Sequence, residues 1–225
     1  MSERPTVVVS FAQSLDGRIA TVSGDSRWIS GSETLTLAHE LRRDNDAILV
    51  GIGTVTRDDP ELTCRLPGKR HRSPVRVVLD SRLRLPCQSR ILRNAARHRT
   101  IVACLKGNTA EQRRRLEDRG ATVLECRRDA HTGGVDLNDL LHRLYSLGIG
   151  SLFVEGGGRV ITSFVRQRLL DRLVVVIAPL LIGTGTSAVG DIGTETLEQA
   201  IRLNPAAVRQ LGRDLVWEME FSPQS

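Results

Sequence analysis

The chain has 225 residues, 40% of them hydrophobic, which is enough for one substantial core and sets the expectation of a single domain over residues 1–225. Its net charge of +6 is mostly an arginine excess, but one Tyr, two Trp and four Phe are too few for the stacking platforms of a single-strand binder, so no nucleic-acid partner is expected. No apolar run approaches a membrane span and Met1–Pro5 is not a hydrophobic signal segment, so a cytoplasmic protein without a membrane partner is expected.

Taken in chain order, Thr6–Ala12 is rich in β-branched residues and reads as a strand that leaves through the turn Ser14-Leu15-Asp16-Gly17. Ser30-Gly31-Ser32-Glu33 has the spacing of a capping box, with Ser30 as cap and Glu33 three residues on. The helix that follows carries Leu35, Ala38 and Leu41 on one face. Ala47–Val50 is a short apolar run typical of a buried strand. Leu66–Ser73 is an exposed loop, and Val75–Leu79 and Thr100–Leu105 are strands. Thr109 caps a helix that stops at Gly120, Ala121–Cys126 is a strand, and Asp136–Leu147 is a helix stopped by Gly148. Ser151–Val154 is a strand whose glycine turn feeds a helix through Leu170, and Leu173–Ala178 is a further strand. From about Ala206 to Phe221 the pattern is a hairpin around Gly212-Arg213-Asp214. Strands alternating with helices and ending in a hairpin make an α/β domain, with a mostly parallel sheet and an antiparallel edge.

Three segments carry candidate chemistry. Gly51–Arg65 follows a strand with two glycines, Thr54, the carboxylates Asp58 and Asp59, a turn at Pro60, and Arg65. Such groups suit a polar small-molecule site, and a solvated loop is the plainer alternative. Val154-Glu155-Gly156-Gly157-Gly158-Arg159-Val160 is a strand, a glycine turn and a helix start, which suits a phosphate at the helix N-terminus. It is not the G-x-G-x-x-G dinucleotide fingerprint, and tight strand–helix packing is its alternative. Leu180–Thr186 holds a second glycine-rich turn, read as loop flexibility. His39 reads as a surface or packing residue of its helix. Cys64, Cys87, Cys104 and Cys126 form no C-x-x-C pair, so neither a metal site nor a disulfide framework is expected.

A series of motifs comes in one order: Ala12–Ala20 with its Ser14-Leu15-Asp16-Gly17, Trp28-Ile29-Ser30, Leu41-Arg42, Gly51–Arg65, Val78–Ser81, Val154–Gly158, Asp171 and Ile177–Gly183. This series resembles the pyrimidine reductases of riboflavin biosynthesis, which occur as the C-terminal half of the bacterial deaminase/reductase and as stand-alone archaeal and fungal enzymes. The resemblance runs from Thr6 to Phe221. It implies a dihydrofolate-reductase-like α/β fold with helices on both faces of the sheet, and a homodimer. It also implies NADPH as cofactor and a phosphorylated pyrimidine as small-molecule substrate. The implied activity is that of a 5-amino-6-(5-phosphoribosylamino)uracil reductase or a 2,5-diamino-6-ribosylamino-4(3H)-pyrimidinone 5′-phosphate reductase. In either, a hydride passes to sugar C1′ and the ribose becomes a ribityl chain.

By motif position the resemblance places Ser26, Arg42, Leu62, Arg65 and Glu155 at the substrate. It places Ala12, Trp28, Thr54, Asp58, Ser81 and the run Gly157, Gly158, Arg159, Val160, Ile161, Thr162 and Ser163 at the cofactor. Glu155 and Asp58 are the candidate catalytic carboxylates, and Arg42, Arg65 and Ser26 the candidate phosphate clamp. Ser10 stands where many bacterial members carry lysine, so a lysine-based step does not transfer. The H-x-E…P-C-x-x-C signature of zinc deaminases is absent from the 225 residues, so reduction alone is expected. Another pterin- or folate-type reductase and a non-catalytic nucleotide-binding paralogue are the alternatives.

Overall fold

The alternation of apolar runs and amphipathic stretches resolves, in a computed structural model that describes residues 3–27, 29–68 and 71–221, into eleven strands and six α-helices among the described residues. In order they are β1 (Thr6–Ser14), β2 (Arg18–Thr21), α1 (Ser32–Asp44), β3 (Ala47–Gly51), α2 (Ile52–Asp58), β4 (Val75–Leu79), α3 (Arg90–Arg93), β5 (Thr100–Leu105) and α4 (Ala110–Glu117). They continue with β6 (Thr122–Cys126), α5 (Leu137–Ser146), β7 (Ser151–Gly156), α6 (Gly158–Arg166), β8 (Arg172–Ala178), β9 (Gly185–Ser187), β10 (Asn204–Leu211) and β11 (Asp214–Glu220). The chain divides into two compact units. Residues 3–6 and His39–Phe153 form the first, and Val7–Ala38 with residues 154–221 the second.

In the first unit β3, β4, β5 and β6 lie side by side and parallel, with Ala47 opposite Val75 and Val77 opposite Ile101. β3 is a continuous apolar run, and β4 and β5 are nearly so, because strands covered on both faces favour apolar residues at successive positions. Ile48, Leu49, Val77, Val78, Ile101 and Val102 are all fully buried. Helix α5 presents Leu137, Leu140, Leu141 and Leu144 to the core at helical spacing. Burying each such side chain contributes about 1.5–3 kcal/mol relative to exposure. Its cap is Asp136, which accepts from the N–H groups of Asn138 and Asp139, and α4 begins with the expected cap at Thr109, reciprocated by Gln112.

The second unit has the strand order β10-β11-β8-β1. β1 and β8 are parallel, with Ser10 opposite Val174, while β8–β11 and β11–β10 are antiparallel. The α/β class, the mostly parallel pairing and the antiparallel C-terminal edge are therefore as expected. β2 and β9 form a separate two-stranded sheet that the sequence pattern did not announce.

Three local expectations need correction. Gly51–Arg65 is not loop throughout, since Ile52–Asp58 is helical. α1 begins at Ser32, and the Glu33 carboxylate takes the Ser32 hydroxyl instead of completing a box with Ser30. The start of α1 is tied from far along the chain, where Asp214 Oδ2 accepts from the Gly31 N–H at 2.7 Å and the Thr34 hydroxyl at 2.7 Å. Finally, the glycines after Leu180 are tightly held. A Cβ at Gly185 would stand 2.3 Å from the Ala20 carbonyl oxygen, so the close approach of β2 and β9 excludes any side chain there.

Candidate functional site

In the first unit, β3, β4 and β5 run parallel and release their chain at one edge into Gly51 and α2, Asp80-Ser81, and Lys106-Gly107-Asn108. Ligands of open parallel sheets bind at the carboxyl ends of the strands. Thr54 and Asp58 both ride on α2, four residues apart and hence on one helix face; Thr54 is half-buried and Asp58 exposed. A Cβ at Gly53 would meet nothing within 4 Å, so the space at that position of α2 is open. The neighbouring carboxylate serves the fold instead. Asp59, at φ 39° in the left-handed region, accepts the Arg90 N–H at 2.7 Å at the start of α3.

Ser81 is half-buried just beyond β4, and its carbonyl accepts from Leu105 N–H and from Asn108 Nδ2. The loop after it is held from α4, since Gln112 Nε2 donates to the Arg82 carbonyl and Arg115 Nη2 to the Leu83 carbonyl. Beneath the loop, Asp80 is fully buried and its Oδ2 accepts the Leu85 N–H at 2.7 Å. Burial raises the Asp80 pKa above the ordinary carboxylate value, against the opposing pull of that hydrogen bond and of Arg84.

The segment Glu61–Arg65 has no regular secondary structure, yet side chains hold its backbone. Arg76 Nη1 donates to the Glu61 carbonyl, Arg42 Nη1 to the Thr63 carbonyl, Cys64 N–H to Ser73 Oγ, and Arg65 N–H to His39 Nδ1. Leu62, 2% exposed, adopts φ 54°, a left-handed conformation unusual for a branched side chain. Arg65 is half-exposed and its Nη1 lies 3.2 Å from Glu61 Oε2 and 3.3 Å from Thr63 Oγ1. Arg42 is 9% exposed, so it lies under this segment rather than out in solvent.

In the second unit, β7 ends in Glu155 and Gly156, and α6 starts at Gly158. Glu155 is half-buried. Gly156 and Gly157 have φ of 147° and 81°, which L side chains rarely adopt. A Cβ at Gly156 would meet nothing within 4 Å, leaving the front of the turn open. Gly158 is glycine for another reason: its Cβ would stand 2.9 Å from the Ser187 carbonyl oxygen. Within α6, Ile161 is 1% exposed and belongs to the core, Arg159 is exposed, and Val160 is half-buried. Thr162 accepts the Gly190 N–H, and Ser163 donates to the Arg159 carbonyl. Ala12 is half-buried on β1, two residues from the 7% exposed Ser10 and therefore on the same strand face. Ser26 is half-buried in the loop after β2, and Trp28 lies outside the described residues.

The sequence motifs did not reveal the contacts that join two of them across the chain. Asp16 accepts from the Ser14 hydroxyl at 2.5 Å and from the N–H groups of Ile182 and Gly183, which lowers its pKa to about 2. Arg18 completes the join by donating from Nε to the Gly183 carbonyl. The four cysteines are unpaired, and burial pushes the Cys104 and Cys126 thiols up to about 11 and 12, which makes them unreactive. Among the described residues no group of three or more His, Cys, Asp or Glu is placed to hold a metal ion.

Known proteins resemble this chain in sequence and architecture. The model of the RibD C-terminal domain family matches residues 5–217. The chain is 40% identical over 214 residues to a riboflavin biosynthesis protein RibD of Aquifex aeolicus, covering 95% of this chain and 57% of that protein. It thus spans a little over half the length of such RibD relatives. It is also 40% identical over 218 residues to a 2,5-diamino-6-ribosylamino-4(3H)-pyrimidinone 5′-phosphate reductase of Methanothermobacter thermautotrophicus, covering 96% of this chain and 97% of that one. Among solved structures, Acinetobacter baumannii RibD matches with a TM-score of 0.86 at 29% identity, covering 99% of this chain and 59% of that one. The architecture is the dihydrofolate-reductase-like fold of these reductases.

Proposed function

We propose an activity for this chain from one premise: it belongs to the RibD C-terminal domain family. The reaction is the NADPH-dependent reduction of the ribose of a ribosylamino-pyrimidine 5′-phosphate to a ribityl chain. The observation that carries it is the similarity to a named pyrimidinone phosphate reductase along the length of both chains.

The residues fit the cofactor in chemical type. Gly156 leaves space before α6, where first-turn N–H groups suit a phosphate. In the first unit, Thr54 and Asp58 on α2 and Ser81 beyond β4 offer polar groups at the strand ends. Exposed Arg82 and Arg84 beside Ser81 suit a 2′-phosphate and hence NADPH over NADH. When bound, the cofactor supplies the hydride for sugar C1′, and the protein's part is position and electrostatics.

On the substrate side, Arg65 offers a cation on a backbone fixed in advance, which suits the 5′-phosphate. Arg42 and Leu62 support the same segment from below. In the second unit, Ser26 contributes a hydroxyl, and Glu155 holds sugar hydroxyls or moves a proton at the reacting sugar. The active form is a homodimer, and the exposed edge of β10 is the surface that supports this reading.

An NADPH-oxidation assay tests the activity. Turnover is expected with the diamino pyrimidine phosphate or its deaminated counterpart, with clear preference over NADH and none with dihydrofolate. Turnover of dihydrofolate alone would assign a folate-type reductase, and no turnover with any of the three would leave a nucleotide-binding paralogue.

A further inference from the structure

We infer that Arg76 is a positioning residue, whose buried guanidinium fixes the Glu61–Arg65 segment in the conformation that presents Arg65. The inference rests on the reading of that segment as substrate-facing.

Arg76 occupies the second position of β4, between Val75 and Val77, in a strand that is otherwise wholly apolar. It is 0% exposed. Placing a guanidinium there is costly, because burial disfavours the charged form. The group registers that cost: burial lowers its pKa to about 10 although the nearby Glu61 carboxylate acts in the opposite direction. An apolar residue of similar volume would serve a plain core as well or better.

What the charge obtains is a set of five contacts made by its two terminal nitrogens. Nη1 donates to the Glu61 carbonyl at 3.3 Å and to Asn94 Oδ1 at 3.1 Å. Nη2 donates to the carbonyls of Ile91 at 2.9 Å and His98 at 2.8 Å and to Thr100 Oγ1 at 2.6 Å. These acceptors belong to three stretches: the Glu61–Arg65 segment, α3 with the residue that ends it, and the approach to β5. A planar fork with fixed donor directions can bind all three at once, and a flexible ammonium cannot.

Of the three stretches, Glu61–Arg65 has the greatest need of such a hold. It has no ladder of backbone hydrogen bonds, and Leu62 sits at φ 54°. A residue in that region costs about 1–3 kcal/mol and persists only where its surroundings over-determine it. Arg76 grips the carbonyl immediately before Leu62. Arg42, Ser73 and His39 hold the residues after it. Without the first grip, Leu62 is free to relax to negative φ, and Arg65 three residues on shifts with it.

The test uses Arg76→Lys, which keeps the charge without the fork, and the milder Asn94→Ala, which leaves the guanidinium but removes one of the acceptors that orient Nη1. Two readouts are taken on each folded variant. Amide hydrogen exchange should quicken at least tenfold at Leu62–Arg65 in Arg76→Lys while the amides of β5 stay protected. Steady-state kinetics should show KM for the phosphorylated pyrimidine raised about tenfold or more, with kcat and NADPH affinity changed less than threefold. Preference for the phosphorylated over the dephosphorylated substrate should fall with it. Asn94→Ala should move both readouts in the same direction by a smaller factor. Unchanged exchange at Leu62–Arg65 in a folded variant overturns the inference, as does a lowered melting temperature with KM and phosphate preference intact. If the wild type reduces none of the pyrimidines, the assigned reaction fails, and the exchange measurement still decides whether Arg76 holds the segment.

Discussion

At the scale of the residue, Glu155 stands at the end of a buried strand, one position before a turn that only glycine adopts readily. If it handles a proton at the reacting sugar, Glu155→Gln, which keeps shape and removes charge, should lower kcat about 100-fold with little change in KM. A raised KM at unchanged kcat would make it a binding group. Glu155 and Arg65 stood out as candidates because each stands in a compact motif with glycines or carboxylates around it. Arg42 was legible as a cation but not as the donor that holds the Thr63 carbonyl, because nothing local says that residue 42 lies beneath residue 63. Arg76 was illegible for the same reason more strongly. An arginine in a valine run reads as a solvent-facing interruption, and its five acceptors are spread between residues 61 and 100. His39, read as a surface or packing residue, accepts the backbone N–H of a residue 26 positions away.

At the scale of the element, the contrast between α4 and α1 shows what local sequence can announce. The Thr109 and Gln112 pair closes a capping box within four consecutive residues, and the sequence marks the start of that helix. The start of helix α1 is instead tied by a carboxylate from β11, about 180 residues later, which nothing near Ser30 announces. Because Asp214 is fully buried and accepts two hydrogen bonds, Asp214→Ala should destabilise the chain by roughly 2 kcal/mol, the cost of two buried donors left unpaired. Urea unfolding of the variant measures it; a midpoint equal to wild type would mean that the first turn of α1 finds another partner. Short elements escaped altogether. α2 has seven residues and α3 four, too few turns to show a period, and β9 has three residues whose glycine looked like slack.

At the scale of the whole molecule, the class, the parallel pairing and the antiparallel C-terminal edge followed from the order of apolar runs, whereas the division into two compact units did not. The outermost strand of the second unit explains why a second copy is part of the proposed function. β10 is exposed along nearly its whole length, and an edge strand offers an unpaired row of N–H and C=O groups to another chain. Val208 at 63% exposure lies opposite Trp217 at 38%, with Leu215 at 47% two residues along β11 on the same face. Light scattering after size exclusion should give twice the mass of the chain for wild type and the monomer mass for Val208→Lys. A monomeric wild type, or a dimer that survives the lysine, would remove this edge from the assembly.

The parallel pairing of β1 with β8 also sets the order in which the molecule can be made. Val7 and Asp171, joined by a 2.7 Å hydrogen bond, are 164 positions apart, and every residue from Val8 to Ser14 finds its β8 partner at the same remove. On the ribosome β1, rich in valine, therefore emerges before the stretch 39–153 and has to wait for its β8 partner until residue 178 has followed it out. That intervening stretch carries its own parallel strands and its own buried leucines, so it is able to collapse while β1 waits. β1 is thus among the last strands of the second unit to gain its full pairing.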